Sequence, residues 1–366
     1  MIKGNFDIPL DFLSTKSPPL IGVDISSSSV KIVELNELPK KNGYVLERYA
    51  IEPLPKGAVS DGNINDLEAV AESLRRAWKR TGTRIKNVSL ALPAAAVISK
   101  KILLPSGLRD EDMEYQVEAE ANQYIPFAIE EVNLDFQVLG PAPGNDAEVE
   151  VLLAASRKAN VEDRVAAAQV AGLKAVVVDV ETYAVESASE LIRLHLPGGA
   201  VDQCVALVDI GASVMNVNVL RNGQSVYMRD QQVGGEQLTQ IIQNKFGLSA
   251  EEAEAGKRNG GLPENYEHDV LAPFLDNVAG EVSRAMQLFF TSTQFTEVNY
   301  IILAGGCATL AGLGDAVAAN TQVNTLVANP FEQMTLSGRI KPRQLQADAP
   351  ALMIACGLAL RRFDPS

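Results

Sequence analysis

Apolar residues along this chain fall into two kinds of stretch. Some form short solid runs bounded by turn residues, and others recur every three or four positions over longer segments. The first solid run, "LIGVDI" from Leu20 to Ile25, ends on a lone aspartate. Four serines follow, and alternating apolar positions resume at Val30. "YVLERYAIEPLP" is a second strand-like run, with Val45, Leu46, Tyr49 and Ile51. In "NINDLEAVAESLRRAWKRTG", Leu67, Val70, Leu74 and Trp78 are spaced by three and four, which predicts a helix capped by Asn65 and stopped by Gly82. "NVSLALP" predicts a buried strand closed by Pro93. The order β–β–α–β points to mixed α/β architecture.

From about Ala94 to Gly172 the texture changes. "VISKKILLP" reads as a strand, "LRDEDMEYQVEAEANQYIP" as an acidic amphipathic helix, and "VNLDFQVLG" and "EVEVLLAASR" as strands flanking the turn "PAPGNDA". "KANVEDRVAAAQVAGL" reads as a helix ended by Gly172. This β–α–β–β–α block, residues 94–172, is expected to be an inserted subdomain with a small sheet and helices of its own. The core resumes with "KAVVVDVETYAVESASELIRLHL", a strand running into a helix, and "GGAVD" reads as a hinge or boundary.

The second half opens on an echo of the first. "IGVDISSSSVKIVELN" and "ALVDIGASVMNVNVLRNG" share two apolar positions, Val-Asp-Ile, a turn of small or hydroxylic residues, and an alternating strand. Asp24 and Asp209 lie about half the chain apart, so the pair suggests an internal duplication. A tight hairpin with small residues at its bend leaves backbone N–H groups free to wrap a phosphate. A carboxylate at the strand end can hold Mg²⁺ beside it, usually through water. Gly211 permits close backbone approach, with Ala212 and Ser213 completing its turn. In the first turn Ser26, Ser27 and Ser28 offer hydroxyl donors instead. Lys31 is near enough to neutralise phosphate charge, and reads equally as a solvated lysine on an edge strand. A third Gly-rich turn, Gly305 and Gly306 in "YIILAGGCATLAGLGDAV", is expected between a buried strand and a helix N-terminus that favours negative charge.

Composition narrows the chemistry. The 366 residues exceed what one compact core usually serves, so two large lobes are expected. Apolar residues make up 46% and the formal charge is −14, which argues for a globular chain and against nonspecific binding to nucleic acid. Three dispersed cysteines show no metal-ligand spacing and read as buried thiols of a reducing compartment. Only two histidines are present, His195 and His268, which makes a His metal site or a Ser-His-Asp triad a poor explanation. The N-terminus has no signal-peptide core and no run of eighteen apolar residues occurs, so a cytoplasmic protein without membrane insertion is expected. Residues 1–18, which include "IPLDFL", read as a tail able to dock on the body or on a neighbour.

The ordered set of turns resembles the actin-like ATPase superfamily: "VDISSSSVK" looks like its first phosphate loop, "VDIGAS" its second and "LAGGCATL" its adenosine loop. "EANQYIPF", "VDVETYAVE", "GGEQLTQ", "LVANPF" and "DAPALMIACGLALR" extend the likeness to the PilM family, the FtsA-like members that serve type IV pilus assembly. The resemblance runs from about Leu20 to Phe363. It implies an α/β, actin-like (duplicated ribonuclease-H-like) two-lobed fold with an FtsA-like inserted subdomain. The first lobe would hold residues 19–93, 173–199 and 345–366. The second would hold 200–344, with a helical part at about 240–299. The resemblance also implies ATP and Mg²⁺ as ligands, with Asp24 and Asp209 near the metal and the β- and γ-phosphates. Gly234, Gly235 and Glu236 would approach the ribose, and Gly305 and Gly306 the adenosine phosphate or sugar. Glu254 and Lys257 match a pair that brackets the adenosine in relatives, and read otherwise as an i,i+3 surface ion pair. Glu181 matches the acidic residue that orients the attacking water, and reads otherwise as a carboxylate stabilised by a helix N-terminus. Asp179 is a weaker candidate for that role.

One departure bears on rate. Ser26 stands where many relatives have glycine, so slow or absent hydrolysis is expected, with nucleotide acting as a conformational ligand. The implied partner is the short cytoplasmic N-terminal tail of PilN, an inner-membrane protein. That tail would be received in a groove between the first core subdomain and the inserted one and would recruit the chain to the inner face of the inner membrane. Other pilus platform or motor proteins are further candidates. Met113, Val117, Ala121 and Tyr124 in the acidic helix read as groove lining or as core. Its face of Asp110, Glu111, Asp112, Glu114, Glu118 and Glu120 reads as a docking or a solvated surface. The alternatives are an FtsA- or MreB-like filament-forming ATPase, a small-molecule kinase of the superfamily, and a scaffold that has lost ATP. The last sits poorly with retention of both aspartates.

Overall fold

The computed structural model describes residues 18–38, 43–142 and 144–364. The N-terminal stretch expected to act as a tail lies, apart from Pro18, outside the described residues. In chain order the first half runs β1 (Ile21–Ile25), β2 (Ser29–Glu37), β3 (Tyr44–Pro53), the short pair β4 (Val59–Ser60) and β5 (Asn63–Ile64), α1 (Leu67–Thr81) and β6 (Asn87–Leu92). Then come β7 (Val97–Pro105), α2 (Asp110–Ala121), β8 (Val132–Ala142), β9 (Asn145–Arg157), α3 (Lys158–Val170), β10 (Lys174–Val180) and α4 (Glu181–Arg193). The second half holds β11 (Cys204–Ile210), β12 (Met215–Arg221), β13 (Gln224–Gln231), α5 (Gly235–Phe246), α6 (Ala250–Asn259) and α7 (Ala272–Ser292). It continues with β14 (Tyr300–Ala304), α8 (Leu313–Thr321), β15 (Asn324–Val327), β16 (Thr335–Leu336), α9 (Pro342–Asp348) and α10 (Met353–Leu360).

The suspected repeat is a repeat of topology. One sheet has the order β10-β6-β1-β2-β3-β16 and the other the order β15-β14-β11-β12-β13. In each, the aspartate-bearing strand pairs antiparallel with the strand after it and parallel with a later one, β1 with β2 and β6, β11 with β12 and β14. All five residues of β1 are buried, as expected of a central strand covered on both faces. Asp24 and Asp209 therefore reach the C-terminal edges of two central strands, the edge at which open α/β sheets bind ligands.

Helices α4 and α10 fill the space between the sheets. Their Val185, Ala188, Met353, Ala355, Cys356 and Ala359 share one core with Val33 and Leu35 of the first sheet and Val205, Leu207 and Ile302 of the second. The two helices touch backbone to backbone. A Cβ on Gly357 would overlap the Ala184 carbonyl, so only glycine admits this approach. On the outer faces, α1 and α3 cover the first sheet, and α5 to α8 cover the second around Phe274, Val278, Val282 and Phe289.

Four local expectations change. The cap of α1 is Asp66, whose carboxylate accepts from the Ala69 N–H at 2.9 Å, while the Asn65 side chain turns to the Gly57 carbonyl. Helix α3, assigned to the inserted block, buries Ala167 and Ala168 in the core beneath the first sheet, beside α1. Only β7, β8, β9 and α2 make up a separate core, around Ile102, Met113, Val117, Val151 and Leu153. Strand β16, assigned to the second half, pairs parallel with β3 of the first sheet. Finally, no helix follows Gly306 at once, because turns occupy the chain until α8 begins at Leu313.

Candidate functional site

The first turn is a hairpin bend that register places opposite its own charge. Asp24 in β1 faces Lys31 in β2, and Lys31 Nζ lies 2.7 Å from Asp24 Oδ2. The same ammonium donates to Ser26 Oγ at 3.2 Å. Lys31 lies on a strand paired on both sides and its side chain is 12% exposed, which overturns its reading as a solvated edge lysine. The Ser26 N–H and hydroxyl both reach the Ser29 carbonyl, each at 3.0 Å, so this hydroxyl is committed to closing the turn. Ser27 and Ser28 are partly exposed, and among the described residues their N–H groups donate to no backbone group.

The second turn is welded to two others. The carbonyls of Ile210, Gly211 and Ala212 accept from Cys307 N (3.2 Å), Gly235 N (3.0 Å) and Glu236 N (2.8 Å). Ser213 Oγ adds a bond to Glu236 Oε2 at 3.2 Å. The three glycine-bearing turns thus form one hydrogen-bonded unit. The Gly235 N–H, at the start of α5, points into that unit, while the N–H groups of Ala212, Ser213 and Gly306 have no backbone acceptor among the described residues. Gly234 is buried in the same unit. Gly305 sits at φ 85°, a conformation natural to glycine, and its N–H reaches the Pro350 carbonyl at 2.9 Å.

Glu254 and Lys257 form an ion pair at 2.6 Å, one turn apart on α6, but they are not a plain surface pair. Lys257 Nζ also donates to the Gly235 carbonyl at 3.1 Å and to Thr239 Oγ1 at 2.9 Å, and Thr239 donates to Glu254 at 2.8 Å. The lysine clamps α6 against the first turn of α5, beside the glycine turns. Thr239 carries no sequence signal of its own.

Electrostatics gather the carboxyls. Glu181 opens α4, directly after β10. Burial pushes its pKa up to about 8, and Asp24 and Asp209 raise it while Arg164 and Lys31 oppose them. Burial also lifts Asp209 to about 6, with Lys31 lowering it and Asp24 raising it. So Asp24, Asp209 and Glu181 stand within one another's fields, with Lys31 and Arg164 as the nearby cations. Among the described residues no three acidic, His or Cys side chains converge closely enough to ligate a metal directly. Burial and neighbouring carboxyls raise the pKa of both Glu181 and Asp209, and carboxyls crowded in this way suit a divalent cation bound through water. Asp179, by contrast, is tied to Arg361 at 2.6 Å. Arg164 was missed from the sequence, because a lone arginine in "VEDRVAAA" looks like a solvated helix residue.

A second feature lies at the far end of β6. A groove of about 240 Å³ is walled by Ile98, Ile125, Phe127, Val132, Asn63 and Asn160. It runs between the turn of the two-stranded β4–β5 pair and the small three-stranded sheet. Phe127 is 41% exposed, with the Arg157 guanidinium 5.5 Å from its ring centre. Met113, Val117 and Ala121 are core beneath that small sheet, and Tyr124 stands outside with Lys100 over its ring. On the acidic face of α2, Asp110, Glu111, Glu114 and Glu118 are exposed.

Comparison with known proteins adds the family. The family model for type IV pilus assembly protein PilM matches residues 22–363. The solved structure "PilM-PilN type IV pilus biogenesis complex" is 31% identical, with a TM-score of 0.79, and the match covers 95% of this chain and 100% of that one. The ethanolamine utilization protein EutJ from Carboxydothermus hydrogenoformans shares the fold at 16% identity, TM-score 0.56, covering 94% of this chain and 89% of that one. A glycerol dehydratase reactivase does so at 10% identity, TM-score 0.52, with 95% and 100% covered.

Proposed function

The chain belongs to the PilM family of type IV pilus assembly proteins and has the actin-like ATPase fold, and on that premise we propose that it is the nucleotide-responsive adaptor of a pilus assembly platform. In this reading ATP with Mg²⁺ binds between the lobes. The short cytoplasmic N-terminal tail of a PilN-type inner-membrane protein binds the Phe127 groove and brings the chain to the inner face of that membrane. The observation that carries the nucleotide half is the pairing, twice over, of a strand-end carboxylate with a turn whose N–H groups are unspent: Asp24 with Ser27 and Ser28, Asp209 with Ala212 and Ser213. What favours the groove is its apolar wall between two separately built cores, together with the partner named in the "PilM-PilN type IV pilus biogenesis complex".

The chemistry follows from these side chains. Asp24 and Asp209 would hold Mg²⁺ through water, and the ion would neutralise the β- and γ-phosphates. The unspent N–H groups of the two turns would bind phosphate oxygens from opposite sides, with Gly306 adding one from the third turn. Lys31 would exchange its bond to Asp24 for phosphate contact. Glu181 would orient the attacking water once ionised. Its pKa of about 8 leaves it mostly protonated at neutral pH, and Ser26 stiffens the first turn with a side-chain bond. Both favour slow turnover, so nucleotide acts chiefly on conformation.

Titration calorimetry with Mg·ATP and, separately, with the PilN-type N-terminal peptide tests both halves. Asp24→Ala should weaken ATP at least tenfold and spare the peptide measured without nucleotide. Phe127→Ala should weaken the peptide by about 2 kcal/mol, typical of an aromatic anchor, and spare ATP. Unchanged affinities in both variants would refute the assignment.

A further inference from the structure

The Phe127 groove and the point where residues 1–17 join the fold lie at opposite ends of one strand. Pro19 sits beside the start of β6, where its carbonyl accepts from Asn87 Nδ2 at 3.4 Å, and Ile21 pairs with Val88. From there β6 runs to Leu92, and Ala95 and Ala96, just beyond it, line the groove. Helix α3 spans the same gap. Asn160 in its first turn lines the groove, and its last residue, Val170, stands four residues before Lys174, which pairs with Asn87. Six strand residues followed by the turn to Ala95 cover about 25 Å, and the 13 residues of α3 cover about 20 Å. The groove is therefore about 20–25 Å from Pro19.

The chain ahead of that point reads "NFDIPLDFL" from Asn5 to Leu13. Phe6, Ile8, Leu10 and Phe12 take every second position, with Asp7, Pro9 and Asp11 between them. In an extended chain such positions share one face. Pro9 favours that state, because it biases Ile8 away from helical angles. At about 3.4 Å per extended residue, Leu10, nine residues before Pro19, reaches about 30 Å and Ile8 about 37 Å. Both reaches exceed the distance to the groove. The chemistry matches as well. Ile98, Ile125, Phe127 and Val132 give the groove an apolar wall. Arg157 stands on its rim over the Phe127 ring, with no ion-pair partner among the described residues, and the exposed Lys158 follows it. Asp61, the acid of the lining, belongs to the β4–β5 turn, the wall away from Arg157 of β9. An apolar stripe flanked by acids thus meets an apolar wall flanked by cations.

We propose that residues 6–12 occupy the groove of their own chain and must be displaced before a partner tail can bind. Ile8 and Leu10 lie against the apolar wall, and Asp11 meets Arg157 on the rim. A short tether gives an effective concentration in about the millimolar range, which favours the chain's own groove over that of a second copy. The partner's apparent affinity then falls by the fraction of grooves left open. Self-occupancy sets a threshold, so that only a partner tail abundant or tight enough to outcompete the internal segment is bound. The inference rests on the groove reading proposed above and adds its regulation.

The test uses the full chain as wild type and as Leu10→Asp. A synthetic peptide of residues 4–14 is titrated into each by calorimetry. Leu10→Asp should bind it at least tenfold more tightly than wild type, whose groove is filled, and adding Phe127→Ala should remove most of that gain. Equal binding to the two proteins, or none to Leu10→Asp, overturns the inference. The PilN-type N-terminal peptide should likewise bind Leu10→Asp at least fivefold more tightly than wild type, and equal affinities again overturn self-occupancy. If that peptide binds neither protein while the 4–14 peptide behaves as expected, the function proposed above fails and the self-contact stands. Charge exchange tests the rim. Asp11→Arg should open the groove as Leu10→Asp does, and Asp11→Arg with Arg157→Asp should close it again. Sedimentation separates the same chain from a second copy, since wild-type self-association that Leu10→Asp abolishes would overturn the same-chain placement. Hydrogen exchange without any ligand gives an independent reading: protection at residues 95–98 and 125–127 should fall in Leu10→Asp, and unchanged protection there counts against the contact.

Discussion

Replacing Gly305 by alanine probes how tightly the glycine turns are locked to the metal-side carboxylate. Gly305 sits at φ 85°, where an L side chain costs about 1–2 kcal/mol. Its new Cβ would overlap the Ile210 carbonyl and come 2.5 Å from Asp209 Oδ1. The Ile210 and Asp209 backbone cannot yield, because β11 is paired with β12 on one side and β14 on the other. The 305 turn must move instead, straining the bonds from Gly305 N to Pro350 and from Cys307 N to Ile210. Overpacking of this sort adds about 1–3 kcal/mol, so Gly305→Ala should lose about 2–5 kcal/mol in all. Gly306 is the internal control. It is exposed, and an added Cβ meets nothing within 4 Å, so Gly306→Ala should cost well under ~1 kcal/mol. Urea denaturation midpoints measure the difference, and Mg·ATP titration should show at least tenfold weaker binding only for Gly305→Ala, because the 305 turn and the Asp209 side chain, though not its backbone, are displaced. If the two variants are equally stable and bind ATP alike, the turns are not coupled to Asp209 as described.

Three further outcomes follow from the carboxyl cluster. Glu181 has a folded pKa near 8 against an ordinary 4.5, so the fold favours its protonated form. That contribution is complete below about 4.5 and is lost as pH rises through about 8; ligand-free melting temperature should fall across this window, and Glu181→Gln should flatten the fall. A cation beside Glu181 lowers its pKa, so Mg·ATP binding at pH 7 should release protons, seen as a buffer-dependent binding enthalpy that Glu181→Gln reduces; a buffer-independent wild-type enthalpy would contradict the cluster. Lys31→Met leaves the buried Asp24 without its counter-charge, and removing one partner of such a pair costs about 3–5 kcal/mol. Millimolar Mg²⁺ should recover part of that stability, and a variant as stable as wild type without Mg²⁺ would show that the fold does not depend on the Lys31–Asp24 contact.

The site was only partly legible in the chain. Asp24 and Asp209 stand out because each closes an apolar run, and strand periodicity fixes where the end of such a run lies. In the first turn one hydroxyl differs from its neighbours. Ser26 looks like a phosphate donor, yet it bonds Ser29, since a serine at a bend satisfies its own turn first. The Glu254–Lys257 spacing was visible, but its purpose was not. Lys257 serves α5 through Gly235 and Thr239, and sequence spacing carries no information about a neighbouring helix.

By itself the sequence determined what is local or repeated. Solid and alternating apolar runs define the strands, the doubled Val-Asp-Ile hairpin defines two like halves, and the turn residues fall where the chain bends. These follow from short-range sterics and from periods of about two and 3.6 residues, which read the same in any context. Only the tertiary structure decided which groups meet. It seated α3 beneath the first sheet, joined β16 to the opposite half, buried Arg164 against the Ala91 and Gly62 carbonyls, and set Lys31 against Asp24 across a hairpin. Charge and burial act through space, so a lysine or arginine that looks solvated in the sequence becomes, once folded, the cation on which a cluster of acids depends.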